Sequence, residues 1–169
     1  MDTPRGTHAM KVKFFTTGGT IDKVYFDAKS EFEVGPPQVR DVLQEANAVF
    51  EYEIESILRK DSLDLTEEDR QLIRRRVEAE SCQSIVITHG TDTMIQTALA
   101  LVGVPDKTIV LTGSMQPARF RVTDATFNIG LAIGAVQSLP PGVYITMNGR
   151  IFDPRRTRKN AERNRFEET

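Results

Sequence analysis

Cysteine is nearly missing from these 169 residues: Cys82 stands alone, which excludes an internal disulfide and a cysteine-built metal cluster. Tryptophan is absent and histidine occurs twice. His8 lies in the polar start of the chain, and no carboxylates stand at metal-ligand spacing around His89, so no metal is expected and His89 reads as a structural residue. No apolar run approaches the roughly 20 residues that a bilayer-spanning helix needs. Met1–His8 lacks the apolar core of a secretory signal. The formal net charge is only −2, too small to argue for a nucleic-acid or membrane partner. A soluble chain without cofactor is expected, with the cytoplasm as its compartment.

What is present suits one globular domain. The chain is 39% hydrophobic and 27% charged, and long enough for a sizeable core. Residues 1–10 read as a loose tail, 11–153 as a single α/β domain and 154–169 as a basic segment. Val12 to Thr16 reads as a strand, and 21–34 as an irregular, mobile hairpin. Pro36-Pro37 opens a helix whose Val39, Val42, Leu43 and Ala46 recur at helical spacing. Val49 to Leu58 alternates as a strand. Thr66, followed by Glu67-Glu68-Asp69, predicts a capped helix running to about Glu80. Ser84 to Thr88 and Thr108 to Thr112 read as buried strands, their inner Ile85-Val86-Ile87 and Ile109-Val110-Leu111 continuously apolar, as strands buried on both faces are. Helices are expected over Thr91–Val102 and Asp124–Gln137, with a loop between Gly113 and Val122. Val143 to Met147 reads as a further strand, and Asn148-Gly149 as a hairpin turn into Arg150–Phe152. This alternation predicts a three-layer, Rossmann-like fold, a largely parallel sheet with helices on both faces. Arg150 to Thr169 carries seven basic and four acidic residues, which on its own reads as a solvated tail.

Two blocks carry chemistry. Phe14-Phe15-Thr16-Thr17-Gly18-Gly19-Thr20-Ile21-Asp22 ends a strand on two glycines, at the place where open α/β sheets hold their ligands. Ile87-Thr88-His89-Gly90-Thr91-Asp92-Thr93-Met94 repeats the arrangement: a buried strand, a glycine, then Thr-Asp. A phosphate-binding loop is excluded, because the Lys-Ser/Thr of a P-loop and the three-glycine dinucleotide pattern are both missing. Taken alone, Thr20 reads as a turn residue and Thr91-Asp92 as helix caps.

The two blocks, in this order and spacing, resemble the bacterial-type L-asparaginase family, of which the chain looks like a short single-domain form without the usual carboxy-terminal domain. The resemblance implies hydrolysis of L-asparagine to L-aspartate and ammonia, with glutamine as a weaker substrate. It gives Thr20 the role of nucleophile, Thr91 that of second catalytic hydroxyl, and Asp92 the substrate's α-ammonium. Met147 to Asn160 resembles the family segment that ends in a catalytic lysine, here Lys159, and a desolvated lysine beside a hydroxyl can accept its proton. Lys60-Asp61-Ser62-Leu63-Asp64-Leu65-Thr66 resembles the substrate-anchor loop, with Ser62 on the α-carboxylate. Leu63 departs from the family by standing where a polar residue is usual. Ser114, in Gly113-Ser114-Met115-Gln116-Pro117, is expected on the pocket floor, and backbone N–H groups near Gly19 and Gly90 are expected to hold the oxyanion. Phe32 aligns with the tyrosine that family members pair with the first threonine, so Tyr25 is the candidate to supply that hydroxyl. Self-association as a homo-oligomer, dimer or tetramer, is expected over surface the absent domain would cover. Two other readings stand beside the enzyme: a non-catalytic domain binding asparagine or aspartate, and an amidotransferase-type subunit acting on glutamine.

Overall fold

Ile85-Val86-Ile87 and Ile109-Val110-Leu111 present branched side chains to both faces of their strands, and all six are fully buried. Such strands need helices above and below. The computed structural model describes residues 10–27 and 31–169. In it, β1 (Lys11–Gly18) runs into a 3-10 turn over Thr20–Asp22, then into an antiparallel pair, β2 (Lys23–Phe26) and β3 (Glu31–Val34). Helix α1 (Val39–Glu45) leads to β4 (Glu51–Lys60), a 3-10 turn spans Ser62–Asp64, and α2 (Glu67–Ala79) leads to β5 (Ser84–Thr88). There follow α3 (Met94–Leu101), β6 (Thr108–Thr112), α4 (Ala125–Ser138), β7 (Gly142–Met147) and β8 (Arg150–Phe152). A 3-10 turn at Pro154–Arg156 precedes a last hairpin of β9 (Thr157–Asn160) and β10 (Arg165–Glu168).

The main sheet has the order β4-β1-β5-β6-β7-β8. Its first five strands are parallel and β8 turns back antiparallel on β7. The chain leaves β1 towards β4 on one side and later crosses to β5 on the other, so the connections diverge at the carboxyl ends of β1 and β5. Open α/β sheets form their ligand crevice at such a point. Helices α1 and α4 pack on one face through Val39, Leu43, Ile129 and Ala132. Helices α2 and α3 pack on the other through Ile73, Val77, Met94 and Leu101. The three layers expected from the alternation are therefore present.

Local chemistry sets several boundaries. Thr66 and Asp69 form a reciprocal capping box that starts α2, the arrangement in which two otherwise unpaired N–H groups are satisfied at once. Asn148 and Gly149 take the left-handed conformation that a two-residue hairpin requires, with φ of 53° and 77°. Other boundaries shift. Ala46 caps α1 and is exposed, so it falls off the buried stripe. Val49 lies before β4 and is solvent-exposed. The hairpin expected over 21–34 is present as a regular antiparallel pair rather than an irregular one, with residues 28–30 outside the described ones. The tail expected over 1–10 also lies outside them, apart from Met10. The basic segment forms a hairpin whose Phe166 is buried against Phe152, ring centroids 6.4 Å apart.

Candidate active site

The two glycine blocks meet backbone to backbone. A Cβ placed on Gly19 would come within 2.4 Å of the Gly90 Cα, a distance no side chain tolerates. A Cβ on Gly90 would in turn stand 2.6 Å from the Ser62 side chain, and one on Gly18 2.5 Å from the Lys60 carbonyl. Glycine at these positions draws the loops after β1, β4 and β5 together at the divergence of the sheet. Thr20 and Thr91 each follow one of the touching glycines. Gly19 sits at φ 88°, and its N–H donates to the Lys60 carbonyl at 2.9 Å. That particular N–H is therefore committed to the Lys60 carbonyl. The Gly90 N–H makes no hydrogen bond among the described residues.

Helix α3 starts at Met94, three residues later than the pattern predicts, with Thr93 as its N-cap. The Thr93 hydroxyl donates to the Ser62 carbonyl at 2.7 Å, tying this loop to the anchor loop. Thr91 and Asp92 therefore precede the helix and do not cap it. Lys159, reaching in from β9, donates to the Thr91 Oγ1 at 2.8 Å and to the Asp92 Oδ1 at 2.6 Å. Thr91 is buried, whereas the Asp92 side chain is 45% exposed and so open to a ligand. Ser62 Oγ is buried without a hydrogen-bond partner, and a buried hydroxyl in that state is costly unless something binds it. Thr20 is half-buried, and its hydroxyl makes no hydrogen bond among the described residues.

Other expected residues lie further from this cluster. Tyr25 is about half exposed on β2, its ring packed on Phe32 at 5.3 Å. Its hydroxyl makes no bond to Thr20. Leu63 points outward, 72% exposed. The Ser114 hydroxyl is buried but donates to the Gln116 carbonyl, so it shapes its own loop. His89 is fully buried and neutral, burial pushing its pKa down to about 4. Its Nδ1 lies 2.7 Å from the Gly90 carbonyl and its Nε2 2.8 Å from the Thr97 hydroxyl. A carbonyl only accepts, so Nδ1 carries the proton and Nε2 receives that of Thr97. His89 thus braces the Gly90 turn. Among the described residues, no group of three or more His, Cys, Asp or Glu is arranged to hold a metal ion.

Three structural supports escape the sequence patterns. Asp22 is buried, its pKa raised to about 7 chiefly by desolvation, and its Oδ1 accepts the Gln38 N–H at 2.8 Å. It fixes the Thr20 turn to the start of α1. Asp124 accepts the Met115 and Gln116 N–H groups at 2.9 and 3.0 Å and so folds the loop after β6. Asn148 Oδ1 accepts the Phe166 N–H at 2.9 Å, holding the last hairpin, and with it Lys159, on the body of the domain. Only an acid near a turn hints at the first two in sequence; Asn148 is legible as a turn residue, but nothing in the pattern shows that its side chain holds Phe166.

Residues 11–167 match the family described as asparaginase, N-terminal. The glutaminase-asparaginase of Acinetobacter glutaminasificans is 36% identical over 162 residues, covering 85% of this chain and 48% of the relative. The thermostable L-asparaginase of Thermococcus kodakarensis superposes with a TM-score of 0.78 at 31% identity, over 94% of this chain and 51% of that one. L-asparaginase I of Vibrio cholerae superposes with a TM-score of 0.76 at 27% identity, over 94% and 51%. The chain spans about half the length of the curated relatives it matches.

Proposed function

Because the chain belongs to the asparaginase family, we propose that it is an L-asparaginase, hydrolysing L-asparagine to L-aspartate and ammonia, with slower action on glutamine. The observation that carries this reading is Lys159 bonded at once to Thr91 and Asp92, beside a glycine contact that brings Thr20 to the same crevice.

Asparagine offers an ammonium, a carboxylate and a side-chain amide. Asp92 takes the ammonium, a charge-assisted bond in a partly desolvated site. Ser62 Oγ, which has no partner among the described residues, takes the α-carboxylate. The amide carbonyl is then held over Thr20, whose hydroxyl adds to the carbon while the Gly90 N–H faces the developing oxyanion. Binding of the ammonium draws the Asp92 carboxylate away from Lys159 and leaves Nζ to exchange a proton with Thr91. As Thr20 Oγ1 adds, its proton passes to Thr91, whose own proton passes by way of Lys159 Nζ to the amide nitrogen. The C–N bond then breaks and ammonia leaves. Water adds to the ester carbon, releases L-aspartate and returns a proton to Thr20. Tyr25 belongs to the proposal as an orienter of Thr20 once the β2–β3 pair closes on substrate. Glutamine differs by one methylene, which apolar contacts discriminate only modestly. The lone, partly exposed Cys82 thiol suits a reducing compartment, so we place the reaction in the cytoplasm.

The test is ammonia release from L-asparagine and L-glutamine by the parent chain and by Thr20→Ala. The expected result is asparagine turnover that falls by about a thousandfold or more in the variant. Folded protein that turns over neither amide overturns the proposal and leaves an amino-acid-binding domain in its place.

A further inference from the structure

A second cleft lies away from Thr20, Thr91 and Lys159, on the α1 side of the edge strand β4. Its volume is about 410 Å³, and its walls include Gln38, Arg40, Asp41, Ser56, Arg59 and Arg119. Three guanidinium groups face one carboxylate there. Among the described residues, the guanidinium groups of Arg40 and Arg59 make no hydrogen bond or ion pair, Arg59 acting on the buried Asp22 only through its charge, and the Arg119 guanidinium bonds only the Gln38 Oε1, at 2.7 Å. Lys11, Lys13, Lys23, Lys60 and Arg76 each have a carboxylate partner; Arg75, Arg121 and Arg156 do not among the described residues, but none of them lines this cleft. Unpaired like charges around one concavity raise its potential and attract anions. A guanidinium fork matches the paired oxygens of carboxylate and phosphate.

We propose that this cleft binds a small multivalent oxyanion, a phosphoryl or polycarboxylate group clasped by Arg40, Arg59 and Arg119. The floor is rigid enough for the purpose. Gln38 is buried, its Nε2 donates to the Pro36 carbonyl at 2.7 Å, and its own N–H is held by Asp22. The bonds from Arg119 through Gln38 to Asp22 end at the turn that carries Thr20, which makes this a second site joined to the first by three residues.

The experiment is calorimetric titration of the whole chain at fixed ionic strength with inorganic phosphate and, separately, with citrate, which is too large for a site built around asparagine. Saturable binding of at least one of them in the millimolar range or tighter is expected, and it tells which class the cleft takes. An Arg40→Gln, Arg59→Gln double variant weakens that binding by about tenfold or more. Ser56→Glu, which adds a carboxylate to the exposed wall, has the same effect with all three arginines intact. Both variants melt within a few degrees of the parent, and Thr20→Ala binds the anion as the parent does. Absence of saturable binding by either anion up to about 10 mM, or binding that survives both cleft variants, overturns the proposal. So does binding that Thr20→Ala removes, which would move the anion to the hydrolytic crevice. Because no step of the titration uses asparagine, its failure and the failure of the proposed reaction are read separately.

Discussion

Gly19 combines a positive φ of 88° with a neighbour, Gly90, that leaves no room for a side chain. Either constraint alone strains an alanine; a positive φ with an extended ψ of −174°, a region essentially reserved for glycine, costs about 1–3 kcal/mol, and a backbone collision cannot be relieved by a rotamer change. Gly19→Ala is therefore expected to lose at least about 2 kcal/mol in urea unfolding and to lose turnover even where it still folds. Retained stability would mean that the two loops can part. Asp22 and His89 set the response to pH. Asp22 titrates near 7 in the folded protein against an ordinary value of 3.8, so between about pH 4 and 7 the unfolded chain gives up a proton that the folded chain keeps, and stability falls as pH rises. The penalty is on the order of 4 kcal/mol at most. His89 has the opposite sign. Below about 6.5 the unfolded chain takes up a proton that the folded chain refuses down to about 4, so stability falls as pH falls. The two offset one another between about pH 4 and 6.5, and above that window only the Asp22 penalty remains. Asp22→Asn keeps an acceptor for the Gln38 N–H and removes the charge. Its unfolding free energy should gain on the parent between pH 4.5 and 7.5; an equal change in both proteins would show that Asp22 does not carry the effect.

Elements differ in how plainly the sequence announces them. Strands β5 and β6 have the bounds predicted for them, because uninterrupted Ile and Val runs have only one place to go, a sheet interior. Helix α2 was legible from its cap, and Thr66→Ala should lower its stability by about 1 kcal/mol, measured by thermal melting. The last hairpin was not legible. A single buried aromatic, Phe166, sits among arginines and glutamates that alternate to the surface, and no periodicity reveals one residue. The family resemblance, not the pattern, pointed to Lys159. In the structure Phe166 stands opposite Lys159 in the β9–β10 register, so the residue that anchors the hairpin also sets the reach of the lysine. Phe166→Ala should lose about 3–5 kcal/mol and most turnover together. Normal activity with lowered stability would show that Lys159 is held by other means.

At the scale of the whole molecule, topology places the site before any side chain is considered. Parallel strands that depart in opposite directions open a crevice between β1 and β5, and both threonine loops lie at its mouth. The sequence hinted at this through two glycine blocks at strand ends. It could not show that the loops touch, since a contact between residues so far apart in the chain appears only when the sheet is assembled. Phe127, Val122 and Ile151 are exposed on the surface, an apolar presence that suits the self-association expected from the sequence. Sedimentation is accordingly expected to give a mass above 19.0 kDa that falls towards it on dilution. A constant monomer mass at all concentrations would overturn that expectation.

The pairing of Phe166 with Lys159 also orders events during synthesis. On the proposed mechanism, a nascent chain that has produced β1 to β7 already holds Thr20, Thr91 and the Ser62 loop, yet lacks Lys159, and hydrolytic competence is expected only after β10 has emerged and docked. A translation product arrested before that strand, or clipped at the β9–β10 turn, should still bind asparagine while leaving it intact.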